Sequence, residues 1–600
     1  MARSVKFAAP KLLQTKLQLW RSRFIFSLVA VAFVALAGKA LYLQTVSSPF
    51  LLAKGAQRYE KTIELQANRG RILDRHGVVL ATSLPARSIW AYPDRVDLDD
   101  PRLMDVARLL GFKPLDLQRR LSEDRNFVFL RRQVDLDTAE RIKALRIRGF
   151  GQDDEYKRSY PEGETVAHLV GFTDIGHVGQ EGLELSFQSM LAGHPGSRRV
   201  IRDGTGQIIG AIDQVREPRD GRDLRLTIDT RIQARTFEAL KEAVKVNAAK
   251  AGAAIVLDAH NGEVLALANW PSYNPNDRSG LSGSQLRNRA ITDIYEPGST
   301  MKVFTAALAL ESGKYRPVSV IDVRDGRMTI GRDTIRDAHR IRELTTLEQV
   351  IQRSSNIGTA KIALSLPPEQ HWRLLTAAGF GQAPKLGFPG AASGRLRPYR
   401  KWKPIEQATI SYGHGVSVSL MQMARAYTIF AGNGELLPVS IFKAPGQEQR
   451  GRAIQVSLRA GEGHYEHDTV RGVPVVSPGT AAAIRRMLEL AAGPKGTAPS
   501  AQVHGYRVGG KTGTSTKIEN GRYVKKYVSS FVGMAPMSDP RIIVAVMIDE
   551  PSAGKYYGGQ IAGPVFSRIA GDALQTLGVE PDAPFETMIS PMVALRKEGV

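Results

Sequence analysis

From Phe24 to Gly38 the chain carries no charged residue, and beyond Lys39 the apolar character resumes through Ala40-Leu41-Tyr42-Leu43-Gln44-Thr45-Val46. A helix over 24–46 is long enough to cross the ~30 Å hydrocarbon core of a bilayer, with Lys39 extending its amine to the interface. Arg3, Lys6, Lys11, Lys16, Arg21 and Arg23 precede the run, whereas the first acidic residue is Glu60. Basic flanks are retained on the cytoplasmic side. The pattern therefore predicts a cytoplasmic tail over 1–23, a single-pass helix over 24–46 and the remainder outside the cytoplasm. Ala35-Leu36-Ala37 also resembles a signal-peptidase site, but the long basic tail and the amphipathic continuation favour a retained anchor.

Between residues 47 and about 220, short apolar stretches alternate with charged ones and Gly and Pro recur. Leu103, Val106, Leu109 and Leu110 have helical spacing within 102–121 that ends near Gly111, and a charged helix is predicted over 137–145. Short strands are predicted over 78–81 and 88–92. No catalytic constellation is visible there. The pattern changes near Asp220-Gly221: Ile228, Ile232, Phe237, Leu240 and Val244 share a helix face, with Asp229 placed to cap it. Ala253–Leu257 and Val264–Leu267 then read as strands, and Asn261-Gly262 between them is a hairpin signal. Near the other end, Ser477-Pro478 starts a helix to about Ala492, followed by strands over 506–514, 527–534 and 542–548. A sheet assembled from both ends of a domain, with helices between, makes the class α+β. The polar stretch 446–473 is expected to be a surface excursion.

A length of 600 residues exceeds one core, so two or three domains are expected. With 42% apolar and 24% charged residues the chain is globular, and its net charge of +23 implies an anionic surrounding. The basic residues are dispersed and accompany no nucleic-acid motif, so phospholipid and anionic wall polymer fit better than nucleic acid. There is no cysteine, hence no disulfide or thiol chemistry, and the 11 histidines lack metal-ligand spacing.

The chemistry concentrates in Glu296-Pro297-Gly298-Ser299-Thr300-Met301-Lys302. A Pro-Gly turn sets Ser299 at a helix start, and Lys302 at i+3 lies on the same face. A serine hydroxyl needs a neighbouring base, and a lysine serves if burial and nearby positive charge lower its pKa. A helix N-terminus also directs N–H groups at developing oxyanion charge. Ser440-Ile441-Phe442-Lys443 and Ser552-Ala553-Gly554-Lys555 match the same short pattern. Only Ser299 is followed, in order, by a Ser-x-Asn at Ser354-Ser355-Asn356 and the single Lys-Thr-Gly at Lys511-Thr512-Gly513, with Thr514 next. That trio marks penicillin-binding proteins and class A β-lactamases. In those roles Ser299 is the nucleophile and Lys302 the general base, while Ser354 relays a proton and Asn356 binds a substrate amide. Lys511 attracts a carboxylate, Thr512 and Gly513 line the substrate strand, and Thr514 adds a hydroxyl and an N–H. Taken singly, each motif also has an ordinary reading: a helix cap at Ser299, a turn at Asn356, a strand end at Lys511.

From Asp220 to about Gly571 the chain resembles the transpeptidase domain of class B penicillin-binding proteins. Arg69-Gly70-Arg71-Ile72-Leu73-Asp74-Arg75-His76-Gly77, Arg158-Ser159-Tyr160-Pro161 and Gly179-Gln180-Glu181-Gly182-Leu183-Glu184 resemble that class's N-terminal motifs, with His76 where Asn is usual. Arg289–Gly298, Lys555-Tyr556-Tyr557-Gly558-Gly559 and Tyr412-Gly413-His414-Gly415 look most like the septal, division-specific members, although Leu420 stands where proline is expected. The resemblance implies an anchor, a non-catalytic pedestal or dimerisation-like domain over 47–220, a transpeptidase domain over 221–580 and a tail over 581–600. The transpeptidase domain would be an antiparallel sheet flanked by helices, like the serine β-lactamases. Arg69, Gly70, Asp74, Arg158 and Glu184 would be structural, the charged ones read as an ion-pair network between domains.

The implied activity is D,D-transpeptidation of D-Ala-D-Ala stem pentapeptides through a serine acyl-enzyme, with β-lactams as inhibitors and no cofactor or metal. The implied place is the cytoplasmic (inner) membrane at the division site, beside a glycosyltransferase of the FtsW type and other divisome proteins. An elongation-type transpeptidase, a β-lactam hydrolase or sensor, and a non-catalytic divisome scaffold are the alternatives.

Overall fold

The computed structural model describes residues 19–47, 50, 54, 60–123, 125–202, 208–443, 472–519 and 521–584. The expected excursion over 446–473 lies outside the described residues except for its last two, as do the first eighteen residues and the tail from 585.

One compact unit comprises the N-terminal segment through Ala67 together with His194–Arg219. Its helix, Leu19–Thr45, starts before the uncharged run because Trp20, Arg21 and Arg23 continue the same turns. None of its residues is buried, and at about 1.5 Å per residue it is long enough to cross a membrane. An apolar helix with no buried face requires an apolar surrounding. The unit also holds an antiparallel sheet in which Gly196–Arg202 lies between Glu60–Leu65 and Ile208–Arg216.

The second unit comprises Asn68–Gly193 and the chain from Asp220 onward. Its N-terminal part is built on one long strand, Val79–Ala91, where two short ones are predicted. Pro85 suggests a break, yet over residues 82–86 Phe150–Ser159 is the strand's only partner among the described residues, and proline is tolerated where one side of a strand is unpaired. Past that point Val128–Val134 joins the other side. The helical stretch over 102–121 divides into Leu103–Leu110 and Pro114–Leu121, because Gly111 ends the first in a left-handed conformation (φ 68°) and Pro114 opens the second. With Leu136–Ala144, these helices cover a core of Ile89, Val106, Leu110, Leu117, Leu130 and Ile142.

Behind this core lies a buried ion triad. Glu184 accepts from Arg69 Nε (2.6 Å) and Arg158 Nε (2.7 Å), and Arg158 Nη2 donates to the Gly70 carbonyl (2.8 Å). A Cβ on Gly70 would stand 2.1 Å from the Arg222 carbonyl oxygen, which explains glycine there. The triad sits wholly within the N-terminal part and does not bridge to the catalytic one, contrary to the expectation from sequence. Asp74 lies outside it altogether. Its carboxylate accepts from the His76 and Val78 N–H groups and from Thr230 Oγ1 (2.8 Å), tying this region to the first helix of the catalytic part.

The catalytic part contains a five-stranded antiparallel sheet in the order Val264–Trp270, Ala251–Asp258, Ile542–Asp549, Arg522–Ala535, Gly509–Glu519. Strands from both ends of the domain thus meet at its centre. The two middle strands are apolar at nearly every position because both faces are covered. Ala253, Ile255, Leu257, Ile543 and Ala545 face one core, and Ala254, Val256, Ile542, Val544 and Val546 face the other. Thr230–Val246, capped by Asp229 at the Arg231 N–H, and Gly558–Thr576 pack on the second face. The first face carries the helical body that includes Lys302–Glu311 and Leu420–Ala426. Leu420 is the first residue of its helix, where proline and leucine both fit, and Ser419 with Gln422 forms a capping box around it.

Candidate active site

Ser299 does not cap a helix. It lies inside a 3-10 turn, Gly298–Met301, that runs directly into Lys302–Glu311. In a 3-10 turn residues i and i+3 eclipse one another, which aligns Lys302 under Ser299 more closely than an α-helical turn would. Gly298 has φ 56°, and the turn packs against the strand carrying Lys511 so tightly that a Cβ on Gly513 would meet Pro297 O at 2.7 Å and Ser530 Oγ at 2.3 Å. Glycine at 513 is therefore demanded by the protein's own packing.

Ser354 joins the three motifs. Lys302 Nζ donates to its carbonyl oxygen and to its Oγ (3.1 Å), and Lys511 Nζ donates to the same Oγ (3.0 Å). Ser354 has φ 61°, a left-handed conformation that costs a non-glycine residue about 1 kcal/mol or more. Both lysines are fully buried. Burial, and then the neighbouring Lys511, push the Lys302 amine well below the usual lysine range, with Asp337 opposing them. Burial brings Lys511 down to about 7. Two amines that cannot both hold a proton cheaply thus share one hydroxyl, an arrangement suited to passing a proton between them.

Asp337 was not legible in the sequence, where Arg336-Asp337-Ala338 has no motif spacing. Its carboxylate accepts from Ser355 Oγ (2.8 Å) and from the Asn356 and Ile357 N–H groups, across the N-terminus of helix Asn356–Leu364. Asn356 is accordingly the first helical residue and not a turn, and its Nδ2 donates to the Arg336 carbonyl (2.9 Å). An anion at a helix N-terminus is stabilising, and here it also orients Ser354 one residue upstream of the cap. We expect Asp337→Asn to lose about 1–2 kcal/mol of stability, measured by chemical denaturation. Removing the charge lowers the Lys302 pKa further, so the acid limb of any acylation by Ser299 moves to lower pH.

The remaining predicted residues line the strand opposite the turn. Thr512 Oγ1 lies 3.1 Å from Thr497 Oγ1, and Thr514 Oγ1 accepts from the Gly558 N–H at 2.9 Å. The Ser440 hydroxyl is bonded to the backbone of Phe442 in its own segment, and Ser552 Oγ donates to the Ala248 carbonyl. Neither has a counterpart to Ser354. Arg69, Gly70, Asp74, Arg158 and Glu184 lie in or beside the N-terminal part and contribute no group to this cluster. Among the described residues no group of three or more His, Asp or Glu could hold a metal ion.

Comparison with known proteins agrees with this geometry. The penicillin binding protein transpeptidase domain family matches residues 252–571, and the penicillin-binding protein dimerisation domain family matches residues 64–226. Similar relatives include the probable peptidoglycan D,D-transpeptidase PenA of Neisseria meningitidis, 41% identical over 94% of both chains. The peptidoglycan D,D-transpeptidase FtsI of Escherichia coli K12 is 38% identical over 94% of this chain and 93% of its own. Among solved structures, the apo transpeptidase domain of Burkholderia pseudomallei penicillin-binding protein 3 is 48% identical with a TM-score of 0.52, covering 60% of this chain and 98% of its own. Penicillin-binding protein 3 of Mycobacterium tuberculosis, complexed with aztreonam, is 28% identical with a TM-score of 0.65, covering 88% of this chain and all of its own.

Proposed function

The chain belongs to the class B penicillin-binding proteins, and from that membership we propose that it is a septal peptidoglycan D,D-transpeptidase of the FtsI type. The observation that carries the reading is the convergence of Lys302 and Lys511 on Ser354, one turn from Ser299.

In this reading Ser299 Oγ attacks the penultimate D-Ala carbonyl of a stem pentapeptide and its proton passes to neutral Lys302. Charge on the carbonyl oxygen is met by N–H groups at Ser299 and Thr514. Lys511 and the hydroxyls of Thr512 and Thr514 hold the terminal carboxylate, and Asn356 offers its side-chain carbonyl to a substrate N–H. The proton moves through Ser354 to the leaving nitrogen, the C–N bond breaks and D-Ala departs, leaving an ester on Ser299. The amine of a second stem takes the acyl group, giving its proton back through Lys302 and restoring the serine. A β-lactam follows the first half, but its leaving nitrogen stays tethered to the acyl group, so the ester persists.

The helix Leu19–Thr45 supports a single-pass anchor in the cytoplasmic membrane, with the catalytic part outside. The division site, and a partner glycosyltransferase of the FtsW type with other divisome proteins, follow from likeness to the septal relatives. The domain limits of the sequence reading, 47–220 and 221–580, belong to the same proposal.

Purified full-length protein incubated with fluorescent penicillin is expected to carry one stable adduct, and mass spectrometry of the digest to place it on the peptide containing Ser299. An adduct elsewhere, or rapid turnover of the penicillin, overturns the assignment. Depletion is expected to give filamentous cells; round cells indicate the elongation role instead.

A further inference from the structure

We propose that the Glu296 carboxylate, held by His414, Gly415 and Tyr523, is a positioning device for Ser299, setting the nucleophile turn against the hairpin that carries Lys511 and Thr514. The inference rests on the transpeptidase reading above and names residues that reading does not use.

Glu296 stands three residues before Ser299, and its carboxylate gathers donors from two other segments. Oε2 is 3.0 Å from His414 Nδ1, and Oε1 accepts from the Gly415 N–H at 2.7 Å. Tyr523 Oη donates to Oε2 at 3.2 Å. His414 and Gly415 belong to the turn after helix Pro404–Ile410. Tyr523 belongs to the far end of the hairpin whose first strand holds Lys511 and Thr514, paired there with Ile518. One carboxylate therefore links the nucleophile segment, the turn beside it and the second strand of the hairpin, which pairs with the strand that carries Thr514. Although burial pushes the Glu296 carboxyl upward, the bonds from His414, Gly415 and Tyr523 prevail and hold it below the usual carboxylate range.

The backbone repeats the connection. Gly298 N–H donates to the Gly413 carbonyl at 3.2 Å, and a Cβ on Gly413 (φ 88°) would stand 2.1 Å from the Gly298 oxygen. Tyr295 pairs with Val418 and Ile294 with Ser419 in a two-residue ladder. The turn from Tyr412 to Gly415 is thus the surface on which the nucleophile turn rests, and the Glu296 carboxylate closes that contact from the hairpin side. Acyl transfer depends on the distance between Ser299 Oγ and the N–H of Thr514, and a displacement near 1 Å costs about 10²-fold in rate.

The groups facing His414 from neighbouring elements are Glu296, Tyr523 (ring centroids 6.2 Å apart) and Tyr412 of its own turn (5.5 Å). Both tyrosines are pushed up to about 12.

The test uses the full-length protein and fluorescent penicillin, with the pre-covalent dissociation constant and the acylation rate constant resolved by rapid mixing. Glu296→Ala is expected to slow acylation about 10–100-fold, with the dissociation constant changed less than about threefold, and Glu296→Gln to recover part of the loss. Tyr523→Phe removes one hydroxyl from an exposed ring, leaves the fold intact, and is expected to slow acylation about threefold. His414→Ala removes another donor to the same carboxylate and is expected to slow acylation about threefold or more. Tyr523→Phe and Glu296→Gln both acylating at the wild-type rate overturn the inference. Failure of the wild-type protein to acylate at Ser299 overturns the transpeptidase reading instead.

Discussion

Replacing Lys302 by methionine is expected to lower the rate of acylation by penicillin about 10³–10⁴-fold and to leave the protein at least as stable at neutral pH. The two effects have one origin. The Lys302 amine is fully buried and held well below the ordinary lysine pKa by burial and by Lys511, so it is available as a base. Folding at neutral pH must therefore strip a proton from a lysine that is charged in the unfolded chain. Methionine fills similar volume without that requirement. Because the unfolded state binds more protons, wild-type stability rises with pH from the depressed folded pKa up to the ordinary lysine value near 10.4. Lys302→Met removes this group's share of the slope, leaving that of Lys511, whose folded value is about 7. Thermal unfolding at several pH values in detergent, beside rapid-mixing acylation, reads both effects. A variant that acylates within about tenfold of wild type excludes Lys302 as the base.

The second large effect is on stability alone. Glu184→Ala leaves the buried guanidiniums of Arg69 and Arg158 without their shared carboxylate and is expected to destabilise by about 3–5 kcal/mol. Burial already lowers the Arg69 pKa even with Glu184 in place, which shows how unfavourable that site is for an unpaired cation. Replacing all three residues with apolar ones of similar volume is expected to recover most of the loss, since a buried ion triad is seldom better than good packing. The Glu184→Ala protein that remains folded should acylate at the wild-type rate, because the triad supplies no group to the Ser299 cluster. Denaturant titration with parallel penicillin labelling checks both statements, and a Glu184→Ala loss below about 1 kcal/mol contradicts the first.

Much of this architecture was legible because it depends on local rules. Asp229 and Ser477 cap helices by bonding an N–H two or three residues on, Pro478 opens one, and Asn261-Gly262 turns a hairpin. Each signal is complete within a few residues. The strand Val79–Ala91 was misread as two because the tolerance of Pro85 depends on which neighbour is absent at that position. Asp74 was grouped with Arg69, Arg158 and Glu184 because charge type is visible in sequence and partner choice is not.

The order of Ser299-x-x-Lys302, Ser354-x-Asn356 and Lys511-Thr512-Gly513 was enough, without any coordinates, to select one serine among three and to imply acyl transfer, since chemistry constrains residue type and chain order. The apolar stretch over 24–46 likewise determined a membrane-spanning length. What only the tertiary structure decided is how the motifs meet: Ser354 in a left-handed conformation between two buried amines, Asp337 across the next helix start, Gly513 pressed under Pro297, and Glu296 joining three segments. Those relations are distances between groups far apart in the chain, and they depend on packing that no local spacing encodes.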